Sequence, residues 1–152
     1  MNFRRSRAAH LRLGRAGERA AARYLEHLGC KILARDARTF SGELDLVALD
    51  GGVLRFVEVK TLREKPGFSP SGNLSAAQRR RNYGAAMSYM ALLRRRPEVW
   101  RFDLIEVEFR NRRVVSLRRH PDYLPPGGAG AIDRALARRG FRSYIIQTDL
   151  RH

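Results

Sequence analysis

Residues 43–60 read Glu43-Leu44-Asp45-Leu46-Val47-Ala48-Leu49-Asp50-Gly51-Gly52-Val53-Leu54-Arg55-Phe56-Val57-Glu58-Val59-Lys60. β-Branched, aromatic and aliphatic residues fill both arms and a glycine pair divides them, the pattern of a β-hairpin closed by a tight turn. Side chains alternate across a strand, so Glu43 and Asp45 are expected on one face of the first arm and Glu58 and Lys60 on one face of the second. Whether those faces coincide depends on the turn. A two-residue Gly51-Gly52 turn pairs Asp50 with Val53, which sets Asp45 opposite Glu58 and Glu43 opposite Lys60. A three-residue loop sets Asp45 opposite Val57 and turns the carboxylates apart unless a bulge restores the match. The first register is the expected one.

On the N-terminal side, Ala20, Ala21, Tyr24, Leu25 and Leu28 form one helical stripe, so Gly14 to Leu28 reads as a helix stopped by Gly29. A basic arm, residues 1–13, precedes it, and Lys31 to Arg35 is a short strand. On the C-terminal side, Pro66, Gly67, Pro70 and Gly72 mark residues 64–74 as a loop. Ser75 caps a helix running to about Leu93, and Pro97 closes that region. Arg101 to Glu108 and Arg113 to Leu117 are strands joined at Arg110-Asn111-Arg112. Residues 121–152 form a tail after the 14–120 domain; it carries a short helix over 129–139 and a strand over 143–147, neither expected to dock. The order α-β-β-β-α-β-β is that of an α/β or α+β sandwich with a mixed sheet.

A chain of 152 residues holds one domain. Its 43% hydrophobic and 30% charged residues suit a folded core. Against 15 Asp+Glu stand 31 Lys+Arg, and the net charge of +16 points to a polyanionic partner. The single cysteine, Cys30, excludes a disulfide-stapled scaffold and a Cys-rich zinc site. The arginines of Met1 to Gly17 have no apolar run behind them, so no signal peptide is expected. No window of about 18 apolar residues spans a membrane. The expected location is the cytoplasm. Only Lys31, Lys60 and Lys65 are lysines, which draws attention to each.

Three of the scarce acids, Glu43, Asp45 and Glu58, fall on the hairpin with Lys60 beside them. Two carboxylates held together repel, and a divalent cation relieves the repulsion. Mg2+, or Mn2+ in its place, suits one or two carboxylates plus a substrate phosphate. Such an ion polarises a phosphoryl oxygen and lowers the pKa of a bound water. The Lys60 ammonium is a point charge able to orient that water or to offset charge at phosphorus. The plainer reading is a set of cross-strand ion pairs on a polar sheet face, worth roughly 0.2–1 kcal/mol each.

Taken together, Gly14-x-x-Gly17-Glu18-x-x-Ala21, Tyr24-Leu25, Gly29, Gly42-Glu43-Leu44-Asp45-Leu46-Val47-Ala48, Phe56-Val57-Glu58-Val59-Lys60 and Phe102-Asp103-Leu104-Ile105 resemble the YraN family over about residues 14–120. The resemblance implies a restriction-endonuclease-like PD-(D/E)xK fold similar to Holliday-junction resolvases. It also implies Asp45 and Glu58 as metal ligands, the Val59 carbonyl as a third, and Lys60 as the catalytic lysine. Glu18 matches the first-helix glutamate that reaches the metal in resolvase-like relatives; a carboxylate there also simply suits a helix N-terminus. Glu43 and Gln78 match positions of accessory character, and the family's Lys-Gln reads Gln78-Arg79 here.

Arg79, Arg80 and Arg81 oppose the dipole of the second helix, so phosphate contact is the expected reason for them, with Arg12 and Arg15 extending the track. Arg94 to Arg96 suit a helix C-terminus. No zinc finger, basic zipper or aromatic RNA-binding signature is present, so recognition is expected through backbone and shape. His10, His27, His120 and His152 are expected at the surface, Trp100, Tyr89 and Met90 in the core, and Cys30 as a small buried hydrophobe. The expectation is a Mg2+-dependent endonuclease on DNA, of branched or structured form. The alternative is a nucleic-acid-binding or assembly protein that keeps the fold without turnover. A homodimer is expected by analogy, because incising two strands needs two sites.

Overall fold

The computed structural model describes residues 3–64, 74–95 and 97–124, with side chains from Arg7 onward. Nearly all of the expected 64–74 loop, Arg96, His152 and the elements expected after Leu124 lie outside the described residues. The elements are α1 (Phe3–His27), β1 (Lys31–Thr39), β2 (Gly42–Asp50), β3 (Val53–Arg63), α2 (Ala76–Ala91), β4 (Val99–Arg110) and β5 (Arg113–Leu124). They form a five-stranded mixed sheet in the order β1-β2-β3-β4-β5. Only β3 and β4 run parallel, and α2 lies in the crossover that a parallel pair requires. This is the expected α-β-β-β-α-β-β order.

The glycine pair closes the central hairpin as expected. Gly51 and Gly52 take φ values of +53° and +96°, the left-handed backbone a two-residue turn needs, and Asp50 pairs with Val53. Several elements run longer than expected: β1 reaches Thr39 rather than Arg35, β4 spans Val99–Arg110, and α1 and β5 extend furthest. α1 begins at Phe3 rather than Gly14, because its first residues are mostly Arg, Ala and Leu, which favour helix. The apolar stripe marks only where the helix meets the sheet. β5 continues to Leu124 rather than Leu117. It is an edge strand, where Pro121 costs no ladder hydrogen bond.

The helices cover opposite faces. Ala21, Ala22 and Leu25 of α1 pack on Leu46, Val57, Ile105 and Val107. Ala85, Ala86 and Met90 of α2 pack on Leu44, Val47, Phe56, Phe102 and Leu104. Phe56 centres an aromatic group on the α2 side, with Tyr89 at 5.9 Å, Phe102 at 5.6 Å and Trp100 at 6.4 Å. Tyr89, Met90 and Trp100 are therefore core, and Cys30 is buried, as expected.

Strict alternation fails at the bulge between Ile32 and Ala34, which belong to opposite cores, and again beside the candidate site. Leu44 and Leu46, two apart on β2, belong to opposite cores, while Ala34 and Ala37, three apart on β1, lie against the same one. Both strands change face around the Asp36/Asp45 level, where Asp36 adopts φ +49°. The expectation that alternation carries unbroken from Glu43 through Asp45 does not hold. His120 is a second correction. It is 6% exposed, not on the surface, and its Nε2 lies 3.1 Å from a carboxylate oxygen of Glu106.

The α1 side also buries Asp103, which accepts from Arg119 at 2.7 and 2.9 Å, from Arg55 at 3.1 Å and from the Asp122 N–H at 3.1 Å. This carboxylate is fully compensated, as a charge away from water must be.

Candidate active site

The site forms where β2 and β3 part. Their pairing runs from Asp50↔Val53 to Leu46↔Val57 and goes no further. At the fork, Oδ2 of Asp45 accepts the Val59 N–H at 2.7 Å. The side chain thus takes the place of the missing ladder partner and is fixed across the gap. On β3, Leu54 and Phe56 belong to the α2-side core, so alternation directs Glu58 and Lys60 to that same side.

Glu58 is half-buried. Burial first, then repulsion from Asp45, raises its carboxyl from 4.5 to about 7, against the lowering effect of an Asn82 hydrogen bond and the Arg81 charge. Asp45 rises from 3.8 to about 6, chiefly by burial, with Asp36 and Glu43 repelling it and the Val59 N–H opposing. Asp45 and Glu58 are therefore within each other's field, although the ladder stops one step short of the expected Asp45–Glu58 pair and does not reach Glu43 and Lys60.

Glu18 joins them from α1. Its carboxyl rises to about 7 through burial, then through Asp36, which it also hydrogen-bonds, then Asp45 and Glu43. Gly17 is what brings α1 so close. A Cβ at Gly17 would collide with Oγ1, Cβ and Cγ2 of Thr61, the residue after Lys60. A glycine at this crossing lets the helix backbone sit on β3, and the next residue then reaches the fork.

Lys60 pairs in parallel register with Glu106 on β4, so the two share a face. Glu106 is 2% exposed and is held by His120. A buried carboxylate thus stands beside the lysine.

The first turns of α2 close the α2 side. Ser75 and Gln78 form a capping box, in which the Gln78 carboxamide oxygen accepts the Ser75 N–H at 3.0 Å and Ser75 Oγ accepts the Gln78 N–H at 3.2 Å. That bond accounts for Gln78. Arg79 donates to the Leu74 carbonyl at 2.9 Å and so ties down the chain leading into α2. Arg80 and Arg81 are exposed. Arg12 and Arg15 are exposed on α1; Arg15, three residues before Glu18, lies on its side of the helix, and Arg12, six before, is turned about 120° away. The two arginine groups lie on helices that cover opposite faces of the sheet rather than along one track.

Asp36, Asn82 and Glu106 escaped the sequence reading. Asp36 sits in a strand, outside any motif. Asn82 follows the Arg79-Arg80-Arg81 run, which drew attention to charge rather than to an amide. Glu106 is separated from Lys60 by a whole helix, and only the parallel register brings them together. Among the described residues, no three Asp, Glu, His or Cys side chains form a ready-made metal cage.

A family model described as uncharacterised protein family UPF0102 matches residues 17–107. That span holds Glu18, the whole hairpin and Glu106. A UPF0102 protein of Symbiobacterium thermophilum is 50% identical over 97 residues, covering 64% of this chain and 82% of the relative. Another, of Pelotomaculum thermopropionicum, is 42% identical over 106 residues, covering 69% of this chain and 88% of the relative. A third, of Syntrophotalea carbinolica, is 46% identical over 100 residues, covering 66% and 81%.

Proposed function

The chain belongs to the uncharacterised protein family UPF0102, the YraN family of its motifs, and we propose that it is a metal-dependent endonuclease hydrolysing phosphodiester bonds in branched or structured DNA. The observation that carries this reading is the parting of β2 and β3 around Asp45 and Glu58, two carboxyls that repel each other. Glu18 adds a third from α1.

The donor set fits Mg2+ or Mn2+. All of the donors are oxygens, their mutual repulsion wants a cation, and such ions take one or two carboxylates and leave the other positions to water and phosphate. Asp45 and Glu58 would hold it, with the Val59 carbonyl and Glu18 as further oxygen donors. Once bound, it supplies Lewis acidity toward a phosphoryl oxygen and a more acidic water.

The chain's own residues do the rest. Asp45 is fixed by the Val59 N–H, and Glu58 by Asn82. Lys60, beside Glu106, supplies a positive charge near the phosphoryl group as negative charge builds there. Arg80 and Arg81 from one face, and Arg12 and Arg15 from the other, seat the sugar-phosphate backbone. Such contacts set position without reading base sequence. Incising both strands requires two of these sites, so a homodimer on DNA is the expected assembly. Light scattering that finds only monomer, with and without DNA, excludes it.

The test is cleavage of linear, flapped and four-way DNA in Mg2+ or Mn2+. Wild-type cleavage that Asp45→Asn and Lys60→Ala each reduce by about 10²–10³-fold or more supports the reading. Binding that survives both changes, with no cleavage of any substrate, supports the non-catalytic nucleic-acid-binding protein instead.

A further inference from the structure

We propose that Phe40, at the tip of the β1–β2 turn, is a stacking platform for an unpaired nucleobase, which directs the site to DNA whose base stack is open: a gap, a fork or a junction. The proposal rests on the nucleic-acid reading above and narrows its substrate class.

Phe40 is the most exposed of the large hydrophobic residues described, at 103% relative exposure. Nothing in the turn requires a phenyl ring there; turns favour Gly, Asn, Asp and Ser. The turn is nevertheless firmly held. Thr39 Oγ1 donates to the Gly42 carbonyl at 2.7 Å and accepts the Ser41 N–H at 3.3 Å. Ser41 Oγ lies 2.8 Å from Ser88 Oγ on α2. A Cβ at Gly84 would stand 3.3 Å from the Ser41 Cβ, so the turn rests against that helix. A ring presented from an anchored turn loses little freedom when a flat partner settles on it.

The surroundings indicate which flat partner. Thr39, Ser41 and Gly42, next to Phe40 in the chain, are polar or glycine, so the turn offers no second large apolar side chain with which to build the apolar centre of a protein contact. Arg38 is exposed on β1, and Arg80 and Arg81 are exposed on α2. The α2 backbone at Arg81 lies against Gly42, where an added Cβ would be 3.8 Å from the Arg81 carbonyl oxygen. Glu43, also exposed, is the acid on this side and belongs to the carboxyl cluster. An aromatic face among arginines is the arrangement that binds single strands, the cations tracking phosphates and the ring taking a base. From Asp45 back to Gly42, β2 spans about 10 Å, roughly three base steps of 3.4 Å, and Phe40 lies in the turn just beyond. A strand reaching from the fork to the turn can therefore stack a base on Phe40 a few nucleotides from the bond held at Asp45 and Glu58.

The test compares wild type, Phe40→Ala and Phe40→Trp binding to a blunt duplex and to the same duplex with a short gap or fork, with Ca2+ in place of Mg2+. A fully exposed ring contributes nothing to the core, so Phe40→Ala should fold as wild type does. The expected result is about a tenfold loss of affinity for gapped and forked DNA in Phe40→Ala, less than about twofold on duplex, and retention in Phe40→Trp. Wild type should also change the fluorescence of 2-aminopurine at the unpaired position, and Phe40→Ala should not. Equal losses on both substrates, or no loss on either, overturn the stacking role while leaving the nuclease reading standing. A Phe40→Ala protein altered only in oligomeric state makes the ring a contact between copies and also overturns it. Failure of the wild type to bind any DNA removes both readings at once.

Discussion

Replacing Glu58 with Gln should make the metal-free protein more stable, an uncommon outcome for a residue in the working site. In the folded chain the Glu58 carboxyl stands at about 7 against an ordinary 4.5, so folding favours its protonated form. The cost of ionising it is absent below pH 4.5, grows as the pH rises to 7, and is complete above that. Stability contributed by the protonated group is therefore present in acid and lost toward neutral pH. The gap corresponds to about 3 kcal/mol at 1.36 kcal/mol per unit. Gln is neutral throughout and keeps a carbonyl oxygen for Asn82. In EDTA at pH 8, Glu58→Gln should unfold about 3 kcal/mol later than wild type, near 10 °C in Tm for a domain of this size. At pH 4.5 the two should coincide. Circular dichroism melts at pH 4.5, 6 and 8 measure this directly. A variant that is less stable at pH 8, or one whose advantage is the same at every pH, would refute the idea that burial and crowding hold the Glu58 carboxyl protonated.

Three further outcomes test the scaffold and the surface. Gly17→Ala should destabilise by about 1–3 kcal/mol, since its new Cβ meets Thr61, and Thr61→Ala in the same chain should recover most of the loss by chemical denaturation. Asp103→Ala should cost about 3–5 kcal/mol in urea, because Arg55 and Arg119 lose the buried carboxylate between them, while any stabilisation by Mg2+ should be unchanged. If about six phosphates are neutralised, log affinity for DNA should fall against log salt with a slope near −5, and removing both Arg80 and Arg81 should make it shallower by about 2.

Much of the architecture was legible because local chemistry set it. The Gly51-Gly52 pair permits a left-handed two-residue turn, and that sets the register from Asp50↔Val53 as far as Leu46↔Val57. Ser75 marked the start of α2, and Pro97 the break after it. What escaped depends on distance or on geometry that period-two reasoning assumes away. The change of face at Asp36 and Asp45 is a local backbone event with no compositional mark. His120 and Glu106 look like surface residues until β4 and β5 pair and bury them together. Gln78 carries a second meaning in the sequence: Ser75-x-x-Gln78 is a capping-box signature, and the amide caps α2.

The shared-cation claim is tested most directly by titrating Mn2+ into the metal-free protein in a calorimeter at pH 6.5, in buffers of different ionisation enthalpy. Because Asp45, Glu58 and Glu18 hold protons up to about 6, 7 and 7, binding should release protons as the ion takes their place. Wild type should show saturable binding with proton release, and Asp45→Asn and Glu58→Gln should each lose it. Binding that persists unchanged in both variants, or none in wild type, would contradict the account.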